Sequence, residues 1–272
     1  MKNPYDENII IKPYLSSTTN INPELFNRSI ISKGGIKVGF FDIDKPSRAL
    51  DPRLGVRFSE EEIKSLAIAV TALTIAFTVV FSGGLRNLLS NIGNTETMVD
   101  FGLNLVISFF AVLTAFVLHE IGHKIVANHY GYPAAFSYSK NGLIMAVVVS
   151  LLLGFLIAAP GAVLIYGYPD KKENGIISAA GPLTNLLVAG VAFGLFVSLL
   201  LLSPFIGSSG FVFALFSTLM IINVIIGAFN LIPIGILDGA KILRWNKAVY
   251  FTMVALYVPG ILLFFVLPNF IS

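Results

Sequence analysis

From Asn174 to Leu237 the chain runs for 64 residues without one Asp, Glu, Lys or Arg. Ordinary soluble domains carry roughly 25% charged residues, whereas this chain of 272 residues carries 12%, with 56% hydrophobic residues. Its mean hydropathy of +0.83 points the same way. The composition is that of an integral membrane protein with the lipid bilayer as its surroundings. Cysteine is absent, which excludes disulfides and thiolate metal sites. Ten of the eighteen Lys and Arg residues lie within residues 1–64. That bias reads as a cytoplasmic tail rather than as a surface for nucleic acid. The first sixty residues are polar and lack the apolar core of a signal peptide.

The uncharged runs divide the chain. Residues 1–60 form a small polar N-terminal tail with one β-like stretch, "GGIKVGFFDID", and residues 61–272 form the transmembrane body. Ser59 is placed as an N-cap, with Glu62 three residues later, the spacing of a capping box. Spanning about 30 Å of hydrocarbon takes about 20 helical residues. The runs that meet this are 65–85, then 101–118 continuing to a Gly-Tyr-Pro stop at 131–133, then 174–202, 211–237 and 248–272. Residues 141–169 are uncharged too, but Ala159-Pro160-Gly161 interrupts them.

Within the second of these runs stands "FVLHEIGHKIV", which places His119, Glu120 and His123 among apolar residues. A buried charge is costly unless it is paired or binds a metal, and inside a membrane such groups mark function. Helix positions four apart lie about 40° apart in projection, so both imidazoles can reach one ion. Glu120 then sits beside them, able to hold a water molecule and take its proton. A catalytic zinc site takes three protein ligands and leaves a position open, so one more ligand is required.

Two candidates exist. His129 continues the spacing H-E-x-x-H-x-x-G-x-x-H of the soluble metzincin proteases, in which a glycine breaks the helix ahead of the last histidine. Here that glycine is replaced by Val126, which resists such a turn. His129 is therefore read as an interfacial residue at a helix end. Asp238 is the first charged residue after the long uncharged run and directly precedes Gly239. It completes a His2Asp set suited to zinc.

With these residues the sequence resembles the site-2 protease family of intramembrane zinc metalloproteases. The matching stretches are His119-Glu120-Ile121-Gly122-His123, then Ala180-Gly181-Pro182-Leu183-Thr184-Asn185, then Asn230-Leu231-Ile232-Pro233 with Leu237-Asp238-Gly239. They cover a core from about residue 65 to 245. The resemblance implies Zn2+ held by His119, His123 and Asp238, with Glu120 as base and Asn185 near the reacting carbonyl. Asn230 and Pro233 fall on the substrate-binding side of the motif. The implied activity is hydrolysis of a peptide bond within or near a transmembrane segment of a membrane-protein substrate. No PDZ or CBS module is recognisable. Two other classes share parts of the pattern. A membrane-anchored zinc protease of soluble or loop substrates would use a glutamate as third ligand, but the only glutamate after Glu120 is Glu173, in a loop. A non-catalytic membrane metal-binding protein would need further ionisable residues in its spans and no base.

The ligands impose a parity condition. His119 and His123 lie near the end of one span and Asp238 at the end of a later one, so an even number of crossings must separate them. Three apolar stretches intervene. The reading adopted is therefore five full transmembrane helices plus one re-entrant segment, 141–169, broken at Pro160-Gly161; non-helical backbone at this depth is allowed where protein or water covers it. Charge agrees. The tail and the loops at 124–140, 170–173 and 241–247 then all face the cytoplasm and hold seventeen of the eighteen Lys and Arg residues, Arg86 being the exception. The fold expected is an all-α polytopic protein of the plasma membrane. Its N-terminus is cytoplasmic and its active site lies near the cytoplasmic face.

Overall fold

The computed structural model describes residues 36–38, 41–43, 55–153, 160–206 and 210–266. In the tail, the β-like stretch forms a hairpin of β1 (Ile36–Val38) and β2 (Phe41–Ile43). The rest of the tail before residue 55 lies outside the described residues, as do the break at Ala159 and the last residues of the final apolar run.

Helix α1 (Glu60–Phe81) starts where Ser59 accepts a hydrogen bond from the Glu62 N–H at 3.2 Å. Its inward face carries Ala69, Leu73, Ala76 and Phe77, a helical repeat that packs on the neighbouring helices. A short exposed helix, α2 (Gly84–Ser90), leads to α3 (Thr95–Val112), capped by Asn94 through the N–H groups of Glu96 and Thr97. α3 passes through a π-helical turn, Leu113–Val117, straight into α4 (Leu118–His129). The combined 35 residues rise about 52 Å, well beyond the hydrocarbon thickness. The expected Gly-Tyr-Pro stop is present and has a mechanism. Gly131 takes φ +80°, its N–H reaches Asn128 O at 2.9 Å, and Tyr132 N–H reaches Ala127 O at 3.0 Å. This is the paired closure of a left-handed helix cap.

The chain then departs from pure helix. β3 (Ala134–Tyr138) leads into α5 (Lys140–Leu153), and the chain returns as β4 (Gly161–Ile165), antiparallel to β3. Tyr138 pairs with Gly161, and Ser139 N–H bonds Pro160 O at 2.8 Å. The segment between them thus leaves and re-enters at one point of the fold. Glycine at 161 is required there, because a Cβ would run into Tyr138 and the Phe136 ring.

Three more elements complete the body. α6 (Lys171–Ile206) continues through Pro182, and α7 (Gly210–Asn230) runs back along it. α8 (Asp238–Trp245) and α9 (Lys247–Val266) follow. Among the described residues, four helices are long and apolar enough to cross a membrane: α1, the combined α3–α4, α6 and α7. α5 and α9 are shorter apolar helices. The body is therefore a mostly helical membrane fold with one hairpin, β3–β4, set into it. Its two largest apolar clusters join most of these elements. One joins α1, α3 and α5 to Phe136 and Ile222; the other joins α6, α8 and α9 to Val224. α7 contributes to both, so it fixes the two halves against each other.

Candidate metal centre

α4 brings its two histidines onto one buried face, 3% and 8% exposed, against α6. Each imidazole is oriented by its Nδ1. His123 Nδ1 lies 2.8 Å from Ile177 O of α6, and His119 Nδ1 lies 2.5 Å from Asn185 Oδ1. A carbonyl oxygen only accepts, so His123 carries its proton on Nδ1. The same logic reaches His119 in one further step. Asn185 Nδ2 points at Ala115 O (2.8 Å), so its NH2 must face that side and its Oδ1 accepts from His119 Nδ1. In the neutral rings this leaves both Nε2 atoms as lone pairs, the form in which histidine binds a metal. Such second partners fix the tautomer of metal-binding histidines.

Those two Nε2 atoms are 3.0 Å apart. Asp238 Oδ2, at the first residue of α8, lies 3.3 Å from His119 Nε2 and 3.1 Å from His123 Nε2. Three ligand atoms at about 2.1 Å from a tetrahedral ion are about 3.4 Å from one another, so the triangle fits zinc to within a few tenths of an ångström. In that form two lone pairs and a carboxylate oxygen converge on one point, an arrangement that a cation relieves. Space for the cation is also reserved. A Cβ on Gly181 of α6 would come within 2.5 Å of His119 Nε2 and would collide with His123 Nε2. The missing side chain of Gly181 keeps the ground beside both lone pairs open. His119, His123 and Asp238 are thus a buried group able to hold a metal ion.

The elements around the triangle explain its shape. A Cβ on Gly122 would press on Thr184 Oγ1 at 2.6 Å, so α4 and α6 cross closely through small residues. A Cβ on Gly239 would overlap Leu231 O, so the start of α8 can lie against the end of α7 and present Asp238 inward. The other Asp238 oxygen, Oδ1, lies 3.5 Å from Lys241 Nζ. Glu120 is buried beside the triangle, and its Oε2 accepts the Val163 N–H of β4 at 3.1 Å.

The remaining expected residues are placed differently. Asn185 is fully buried with its whole amide engaged: Nδ2 serves Ala115 O and Asn223 Oδ1 (3.0 Å), and Oδ1 serves His119. In this geometry it orients a ligand, and reaching a reacting carbonyl would require it to release one of those acceptors. Asn230 turns its Nδ2 back onto Ile226 O of its own helix at 3.0 Å, and Pro233 lies on the exposed loop after α7. His129 is the last residue of α4, its ring edge-on to Tyr130, and takes no part in the triangle. Sequence reading missed Asn223, whose Nδ2 reaches Thr114 Oγ1 at 3.1 Å and so links α7 through Asn185 to the π-turn and His119. Outside the spans, Tyr132 donates to Glu173 Oε2 at 2.6 Å, which pushes its phenol up to about 12. That bond ties the loop after α4 to the start of α6.

Fold and centre together define a helical membrane protein with a three-ligand metal site and a carboxylate beside it. The chain is 34% identical over 214 residues to a protein of Methanocaldococcus jannaschii named as a putative zinc metalloprotease, covering 76% of this chain and 96% of that one. The chain belongs to the zinc metalloprotease family of that relative. No family model matches it, and no solved structure does.

Proposed function

We propose that the protein is an intramembrane zinc endopeptidase of the site-2 protease type, which cleaves a peptide bond within or near a transmembrane segment of another membrane protein. The observation that carries this reading is the buried triangle of His119, His123 and Asp238 with Glu120 beside it, set among helices apolar enough to cross a bilayer. Zinc would be held by the two Nε2 atoms and Asp238 Oδ2. When bound, it supplies Lewis acidity, polarising the scissile carbonyl and making a water molecule acidic.

This chain's own residues do the rest. Glu120 accepts a proton from the attacking water as the new C–O bond forms. It returns that proton to the amide nitrogen as the C–N bond breaks. Asn185 and Ile177 O hold the imidazoles so that neither ring turns its Nδ1 to the metal. The apolar walls exclude bulk water, which strengthens each of these interactions.

The topology proposed is five crossings with 141–169 re-entrant, which puts the loops at 124–140 and 170–173 and the active site at the cytoplasmic face. Pairing of β3 with β4 and the Tyr132–Glu173 bond support it, since both join the two ends of that segment. The proposed location is the plasma membrane, with a cytoplasmic N-terminus.

The test is cleavage of a model transmembrane peptide by the purified chain in proteoliposomes, with bound zinc measured on the same sample. Cleavage that stops on chelation and returns with zinc supports the reading. A chain that cuts only soluble peptides, or none with its zinc in place, overturns it.

A further inference from the structure

Glu62, read from sequence as part of a helix cap, is 1% exposed, and Lys124 is 2% exposed. The two form a direct ion pair between α1 and α4, with Lys124 Nζ also 4.2 Å from the centre of the Phe58 ring. A buried pair of this kind is often no more stabilising than an apolar pair of the same volume. What it connects is therefore more informative than its charge.

The second Glu62 oxygen, Oε1, accepts the Phe136 N–H of β3 at 3.0 Å. Phe136 is paired with Val163 of β4. Flanking pairs fix which way these amides point. Ser139 N–H bonds Pro160 O, and Tyr166 N–H bonds Pro133 O, so 139–160 and 133–166 are hydrogen-bonded pairs. Such pairs alternate along an antiparallel ladder. Phe136–Val163 is consequently a non-hydrogen-bonded pair, and both of its N–H groups point outward from opposite edges. One goes to Glu62, the other to Glu120 Oε2.

The contacts close a ring. Glu120 and Lys124 are four apart on α4 and share a face. α4 grips the β4 edge directly through Glu120, and the β3 edge through Lys124 and Glu62. The same helix turn carries His123. We propose that the Glu62–Lys124 pair is a positioning device for catalysis, setting the hairpin at the height at which Glu120 meets the reacting group. Glu62 touches no substrate and acts only through Phe136, the hairpin and Glu120. This rests on the protease reading for its catalytic consequence, but the positioning itself is measurable without cleavage.

The test compares the full-length wild type with Glu62→Leu/Lys124→Met, which removes both charges and the bond to Phe136. Thermal stability, zinc per chain, cleavage kinetics and amide hydrogen exchange of residues 134–138 and 161–165 are measured together. The expected result is near-normal stability and zinc, with exchange in both strands about tenfold faster or more and α7 unchanged. kcat falls by about tenfold or more while KM stays within about twofold, as small misplacements of a catalytic group cost rate. Unchanged hairpin exchange, or wild-type kcat in the stably folded variant, overturns the proposal and leaves the pair a packing element. If the double variant does not fold, Glu62→Gln/Lys124→Met decides by the same readouts, because it keeps an acceptor for Phe136, leaves no buried charge unpaired and severs only the link from Glu62 to α4. A wild type that fails to cleave refutes the protease reading, and hairpin exchange then decides the positioning by itself.

Discussion

The metal end of the molecule and the opposite end, around α2, both carry many polar side chains, yet they use them differently. Around α2 the bonds are mostly local, the exception being Asn104 Nδ2 to Ser82 Oγ at 3.2 Å. Asn94 caps α3 two and three residues on, Asn87 reaches Ser82 O, Asn91 reaches Asn87 O, and Ser90 reaches Arg86 O. All of these local groups are exposed, and no residue of α2 is buried. At the metal end the bonds are buried and long-range. His119 meets Asn185 66 residues away, His123 meets Ile177 54 away, and Glu62 meets Phe136 74 away. A local, solvated bond has water as an alternative. A buried long-range bond has none, so its loss leaves a polar atom stranded. Function and fold depend on the second kind.

Substitutions should rank accordingly. The largest effect is expected at the triangle. Gly181→Ala puts a methyl group where the ion would sit, and Asp238→Ala removes a ligand. Both should bring zinc, measured per chain by mass spectrometry of the metal, down to background, while His129→Ala keeps it near one per chain. Zinc retained in Gly181→Ala would mean that α6 can retreat from the histidines, and the contrast between the two ends would lose its basis.

A middle effect is expected one bond further out. Asn185→Ala frees the His119 ring and strands Ala115 O, so zinc affinity or activity should fall by about 10–100-fold, the usual loss when the partner of a metal-bound histidine is removed. Competition against a chelator of known affinity measures it. The smallest effect belongs to the opposite end. Asn94→Ala removes a helix cap worth about 1 kcal/mol, so it should lower thermal stability slightly and change neither zinc nor cleavage.

The same contrast governs what could be read from the sequence. His119, Glu120 and His123 were legible because helical spacing alone puts them together. Asp238 was legible as the one charge ending a 64-residue uncharged run. Ser59, the Gly131 stop and the β character of the tail around Ile36–Ile43 were legible as local chemistry, though not the pairing of two strands there. The π-turn, Asn223 and the hairpin β3–β4 were not, because their meaning lies in partners far along the chain. The helix was read through to the Gly-Tyr-Pro stop, but the residues after that stop read as loop and form β3. Glu62 is the clearest case. Its spacing from Ser59 fits a capping box, and Ser59 does cap the helix, but the Glu62 carboxylate goes to Lys124 and Phe136. Re-entry of 141–169 was read from ligand parity, which is itself a long-range argument. What the structure adds is that β3 and β4, on either side of α5, are paired antiparallel.

The central claim is that this centre hydrolyses peptide bonds with Glu120 as its base. Glu120→Gln leaves all three metal ligands in place and replaces the carboxylate with an amide that cannot take a proton. Zinc content and transmembrane-peptide cleavage are measured on the same proteoliposomes as for the wild type. The account predicts zinc at the wild-type level and cleavage lost almost completely. Zinc at the wild-type level with cleavage at a comparable rate would contradict it.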